Sequence, residues 1–308
     1  MKQFIFFIGI LLAAFITVAQ PCVSIVTPQL SENTRKDFEQ KLSVAKTEYE
    51  KDTLNADAII WYGRRTAYLG GYMKAIDIFS RGISIHPGDA RLYRHRGHRY
   101  ITVRCFDKAI ADFKKAAALI KDKPDEVEPD GLPNAKNIPT STLQSNIWYH
   151  LGLAYFLKGE YEKAESAYFN GLAVSKNDDM YVAMANWLHI TLLMQVKLEQ
   201  ADSVFNSISR TPQLIENTDY NTVLYFYVHR PAVNEIDRYT NAVLMRTVKE
   251  QDTMSVSAAT IYFGAGYYAW LRGMPEKANL FLEKAIATNQ WSSFGYIAAE
   301  TYLKKWKK

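Results

Sequence analysis

The chain has 308 residues, of which 48% are apolar, and its formal charge is +5 from 37 basic and 32 acidic side chains. A stretch this long and this apolar can bury a large core. The near balance of charge gives a mixed, solvated surface and lacks the dense basic field that nucleic-acid binding needs. Two cysteines, Cys22 and Cys105, form neither a metal-site spacing nor a disulfide framework. A bond between these two stays open.

Residues 1–19 read as a Sec signal peptide. Lys2 supplies the positive start, Phe4 to Ile16 the apolar stretch, and Thr17-Val18-Ala19 a small-residue cleavage site. A membrane anchor, or lipid attachment at Cys22, is the alternative. The apolar run is shorter than the ~20 residues of a spanning helix, and Pro21 stands where a lipid-attachment motif wants a small residue. Nothing later is long and apolar enough to span a bilayer, so the mature chain is expected to be exported, periplasmic or secreted. Residues 20–55 hold a Pro-containing lead and a helix from about Thr34 to Lys51. Phe38, Leu42, Ala45 and Tyr49 form its narrow apolar stripe.

Residues 56–123 carry two similar units. Gly63, Ala75 and Phe79 are followed at 34 residues by Gly97, Ala109 and Phe113. Residues 124–142 form an insertion with four prolines and the carboxylates of Asp125, Glu126, Glu128 and Asp130. A long segment of this kind is often functional. Ser141 with Gln144 makes a capping-box pattern for the next helix. Residues 143–178 repeat the unit. Trp148, Leu151, Gly152 and Tyr155 share one helix face, Tyr161, Ala164, Tyr168 and Leu172 another, and Gly159 breaks the two.

Residues 179–256 loosen the pattern. Trp187, Leu188 and Leu192, then Leu198, Ala201 and Phe205, predict a fourth helix pair. Tyr220 to Val228 predicts an aromatic helix stopped by Pro231, with Asn234 to Lys249 as its partner through Ile236, Tyr239, Val243 and Met245. Tyr225, Phe226 and Tyr227 read as core. Residues 259–292 restore the unit with Gly266, Ala278 and Leu282, and residues 293–308 predict a closing helix whose last turn is rich in lysine.

A 34-residue unit with small residues where two helix backbones meet and aromatic residues where the gap is filled resembles the tetratricopeptide repeat. The resemblance implies an all-α solenoid of helix hairpins with capping helices at both ends, in which each unit buries its faces against the next. Pro87 falls at the closing proline of the repeat, and Arg96 departs where the family usually has leucine. A buried guanidinium there needs a carboxylate. The layout is also similar to periplasmic tetratricopeptide adaptors that organise cell-wall enzymes.

In this family the first helix of each repeat lines the concave groove. The resemblance therefore puts Arg91, Arg94, His95 and His98 on one groove-facing helix side, with Arg64 on the repeat before and Asn146, Tyr149 and His150 on the repeat after. Such a basic, hydrogen-bonding patch is similar to the carboxylate clamps of peptide-binding members. It implies a protein or peptide partner with an acidic or C-terminal segment. Three readings follow: an external acidic ligand, the acidic insertion folded back onto the patch, or a solvated charged face. A small-anion binder or an enzyme using the same patch is the alternative function. No catalytic constellation or cofactor motif is visible, and Arg96 beside His95 speaks against a metal at the His95-His98 pair.

Overall fold

The computed structural model describes residues 22–208, 211–229, 231–247 and 255–306. The expected leader, residues 1–19, lies outside them, as do Lys307 and Lys308. Among the described residues fourteen α-helices and one short 3-10 turn (Val233–Glu235) follow one another, with no strand and one isolated antiparallel bridge between Val127 and Thr142.

α1 (Glu32–Lys51) starts on Ser31, whose hydroxyl accepts from the Thr34 N–H. It lies on α2 (Ala56–Tyr68), with Tyr49 stacked on Tyr62 at 5.1 Å and Phe38 tilted on Tyr68 at 5.8 Å. Three hairpins follow: α2 with α3 (Tyr72–Ile85), α4 (Ala90–Thr102) with α5 (Phe106–Ile120), and α6 (Leu143–Lys158) with α7 (Tyr161–Val174). In each, a glycine of the first helix meets an aromatic ring of the second. A Cβ on Gly97 would stand 2.9 Å from the Phe113 ring, one on Gly152 would press into Tyr168, and one on Gly63 would overlap Phe79. Phe79, Phe113 and Tyr168 are consequently buried between helix pairs.

The turns obey the same register. Gly70, Arg104, Gly159, Val196 and Gly273 all have positive φ, between 59° and 87°. The residue after each donates its N–H back into the preceding helix, as Cys105 does to Tyr100 O at 2.8 Å and Glu160 to Tyr155 O at 2.9 Å. This is the left-handed helix stop that frees the chain to reverse.

α8 (Asp178–Met194) and the short α9 (Leu198–Asn206) make the fourth pair. α10 (Thr218–His229) and α11 (Ile236–Thr247) were expected to form a hairpin with each other. Instead, α10 lies chiefly on α8 and on α12 (Val256–Leu271), and it meets α11 through Phe226 and Tyr239 at 5.0 Å. Tyr227 and Tyr268, whose hydroxyls donate to Gly264 O and Pro231 O, fill the space where a close helix crossing would need small residues. α13 (Pro275–Ala287) and α14 (Phe294–Trp306) complete the chain.

The C-terminal helices turn back onto the first three hairpins. Arg104 donates to Glu300 at 2.8 Å and to Trp291 O at 2.9 Å, and its guanidinium lies 4.0 Å from the Trp291 ring centre. The Tyr161 and Tyr302 hydroxyls are 3.0 Å apart, and Lys305 donates to Leu157 O. The lead is tied to the same region by a disulfide between Cys22 and Cys105, the bond that the sequence left open. Arg96, the departure from the repeat pattern, is met by Asp112 through two bonds of 2.7 and 2.8 Å.

Candidate functional site

α2, α4 and α6 stand side by side, and their inner faces carry the residues expected there. Asp89 caps α4 by accepting from the Arg91 N–H. Arg91 sits at the rim of the cluster, bound to Asp89 and, at 2.6 Å, to Asp57. These carboxylates raise its pKa further, so it is a fixed cation engaged outside the patch. Arg94 and His95 point inward and are buried.

The acidic insertion docks on them. Glu128 lies 3.0 Å from Arg94 Nε and accepts from Asn146 Nδ2 at 3.0 Å, while its other oxygen is 3.5 Å from His95 Nε2. Arg64 donates to Pro129 O at 2.8 Å and Arg65 to Gly131 O at 2.7 Å, both stacked over Trp61. Gly131 is required there, since any side chain would overlap the Tyr68 hydroxyl. Of the three occupants considered for the patch, the one seated in this structure is the chain's own insertion.

The insertion is held at its ends as well. Glu128 N donates to Ser141 O, and Leu143 N to Glu126 O. Ser141 is thereby engaged, its hydroxyl also accepting from Asn146. The capping box consequently falls one residue later than expected, on Thr142 and Ser145 rather than on Ser141 and Gln144. Gln144 instead donates to Lys123 O.

His98 and His150 are also enclosed. Their rings are 4.6 Å apart, and Phe294 from the start of α14 touches both at 5.4 Å and Tyr149 at 5.9 Å. His150 donates from Nδ1 to Asn146 O at 2.6 Å. Burial first, then the neighbouring guanidinium groups, holds His95, His98 and His150 well below the usual histidine range, so all three are neutral at pH 7. Arg94 Nη1 donates to His95 Nδ1 at 3.0 Å, which leaves the His95 Nε2–H facing Glu128. Tyr149 is committed to Tyr220 at 2.8 Å and to Trp187 Nε1 at 2.9 Å, and burial pushes its hydroxyl well up. No group of three His, Cys, Asp or Glu among the described residues is placed to hold a metal ion.

Two spaces lie beside Trp61, and the smaller of them borders the docked insertion. A trough of about 660 Å³ between α1 and α2 is lined by Val44, Ala45, Ala58 and Trp61, with Asp37, Lys41, Glu48 and Arg65 around it. A smaller one of about 240 Å³ lies between Trp61, Arg64, His95 and the insertion's Val127 and Pro129. Neither was legible from residue spacing, because both depend on the angle between α1 and α2 and on where the insertion lands.

Stacked hairpins with a small-to-aromatic contact in fixed register define an α-solenoid of tetratricopeptide type. A tetratricopeptide repeat protein from Parabacteroides merdae superposes over 89% of this chain and 94% of its own, at 19% identity and a TM-score of 0.51. The APC/C hetero-tetramer Cut9–Hcn1 matches 89% of this chain and 47% of its own, at 12% identity and a TM-score of 0.51. YrrB, described as a TPR protein with an unusual peptide-binding site, matches 85% of this chain and 97% of its own at 16% identity and a TM-score of 0.41. No protein-family profile and no curated protein matches the chain. The likeness is one of fold.

Proposed function

We propose that the protein is a non-enzymatic interaction scaffold, and that it takes an acidic or C-terminal segment of a partner protein on the wall of α2, α4 and α6 in exchange with its own insertion. One observation carries this reading: Glu128 is held by Arg94 and Asn146 while backbone carbonyls on either side of Asp130 are held by Arg64 and Arg65. Asn146, Arg64 and Arg65 as donors, with Arg94 as the paired charge, suit an extended acidic chain that offers one carboxylate and its main chain. Charge-assisted bonds of this type contribute about 1.5–3 kcal/mol each, enough for exchange between segments of similar chemistry. The trough beside Trp61 gives a longer partner an apolar surface to continue along. An exported location is part of the reading, and the Cys22–Cys105 disulfide supports a non-reducing compartment. A sulfur used in that bond is not open to lipid attachment.

The test uses a fluorescent peptide copying residues 124–131 and the full-length protein. Glu128→Gln weakens the hold on the native insertion, so the variant is expected to bind the peptide about tenfold more tightly than wild type. Adding Arg94→Gln should abolish that gain. Circular dichroism checks that the variants fold. Equal peptide affinity for wild type and Glu128→Gln would defeat the exchange reading.

A further inference from the structure

Between α2 and α4 lies a half-open space of about 110 Å³ walled by Arg64, Arg94, His95, His98 and Arg99, with Ala67, Tyr68 and Phe79 at its sides. Three guanidinium groups share it. Arg94 is paired with Glu128. Among the described residues Arg64 meets only the Pro129 carbonyl and the Trp61 ring as bonded partners, which orient its charge without cancelling it. The Arg99 side chain makes no hydrogen bond or ion pair among the described residues, and the ionisable groups that bear on it are Tyr68, Tyr72, Arg94 and Arg64. Burial lowers its pKa to about 10, so it stays charged at neutral pH. The two histidines are neutral and add no charge.

The carboxylates nearby do not balance this. Glu128 faces Arg94, and Asp130, near Arg64, is pushed up by burial with one oxygen buried and unpartnered. Even with both ionised, three positive charges face two negative ones. Arg64 and Arg99 are only partly buried, so water offsets part of this excess, and guanidinium forks match tetrahedral oxyanions in shape as well as sign. The space is ample for a small ion. Access runs through the 240 Å³ space next to it, which shares Arg64 and His95.

We propose that this cavity is a binding site for one small inorganic oxyanion, phosphate or sulfate, held by Arg99 and Arg64 with Arg94 behind them. The ion would join α2 and α4 beneath the insertion. The site shares Arg64 and Arg94 with the peptide-holding wall and is set apart from it by Arg99, which touches no part of the insertion.

The experiment is isothermal titration of full-length protein, dialysed into a chloride buffer, with inorganic phosphate, sulfate and acetate in separate runs. Expected is saturable one-to-one binding of phosphate or sulfate with a Kd at or below about 1 mM. Arg99→Gln should weaken it at least about tenfold while the response to the peptide of residues 124–131 is unchanged. No saturable binding of either oxyanion to wild type, or equal binding to Arg99→Gln, overturns the proposal. So does acetate binding as tightly as both, which would mark a general carboxylate site. If Arg99→Gln does not fold, Arg99→Lys replaces it: losing the fork should weaken binding measurably, and wild-type affinity in that variant would overturn the role of Arg99.

Discussion

Hairpins α2–α7 and helices α8–α11 use the same residue types but solve packing differently. In the first group a glycine faces an aromatic ring, so the two helices of each pair close tightly and the next pair stacks in parallel register. The 37-residue step that carries Ala164 onto Ala201 carries Gly152 onto His189. His189 is buried against Tyr227, with ring centres 5.5 Å apart. A bulky side chain at that place leaves room for α10 to lie across α8 instead of extending the stack. The array bends, α12 and α14 swing inward, and Phe294 closes over His98 and His150. The loss of one glycine contact therefore accompanies the change from regular hairpin stacking to α10 crossing α8.

The contrast can be broken most directly at equivalent aromatic positions. Phe113 is fully buried between helices, and Phe205, its counterpart in the fourth pair, is half-buried against Tyr225. Phe113→Ala is expected to cost about 3–5 kcal/mol and Phe205→Ala about half of that, read from urea unfolding. Equal losses would mean that the two regions are packed alike.

The next effect sharpens the contrast through pH. Asp219 at the start of α10 is buried, and desolvation pushes its carboxyl up to about 6 from the usual 3.8. The folded protein thus keeps this proton longer than the unfolded chain does. The stability linked to it is whole below pH 4 and is lost as pH rises through about 6. Asp219→Asn should remove about 2–3 kcal/mol of that decline. Parallel urea midpoints for variant and wild type from acid to neutral pH would sink the assignment. The regular hairpins hold their buried carboxylate, Asp112, against Arg96 instead.

The smallest effect concerns the turns. Val196 has φ 60° at the position where Gly70, Gly159 and Gly273 stand, and it is exposed. A β-branched residue is strained there. Val196→Gly should stabilise by about 1 kcal/mol, seen as a higher melting temperature, whereas a lower one would show that the valine side chain holds α9 in place.

The hairpins were readable because their signal is local: Gly97 and Phe113 meet within one unit, and the 34-residue step copies the contact. The inner patch was readable for the same reason, since Arg94 and His95 follow from helical spacing. Arg99 was missed although it stands four residues after His95, one further step along the same face. Trp291 and Phe294 were not legible as partners of Tyr72 and His150, because they lie more than 140 residues away in the chain and no spacing rule reaches that far. Arg96 announced its own need for a carboxylate but not which one, and Asp112 is two turns into the neighbouring helix.

The turn at Arg104 and Cys105 gathers three parts of the molecule. Cys105 fastens the lead at Cys22, and Arg104 grips Trp291 and Glu300 beside the last helix. Front and rear of the protein are thus latched to one hinge plate, and loosening either end releases a strut that the other leans on. Unravelling of the repeat array from either side must therefore break the disulfide or the Arg104 contacts on its way.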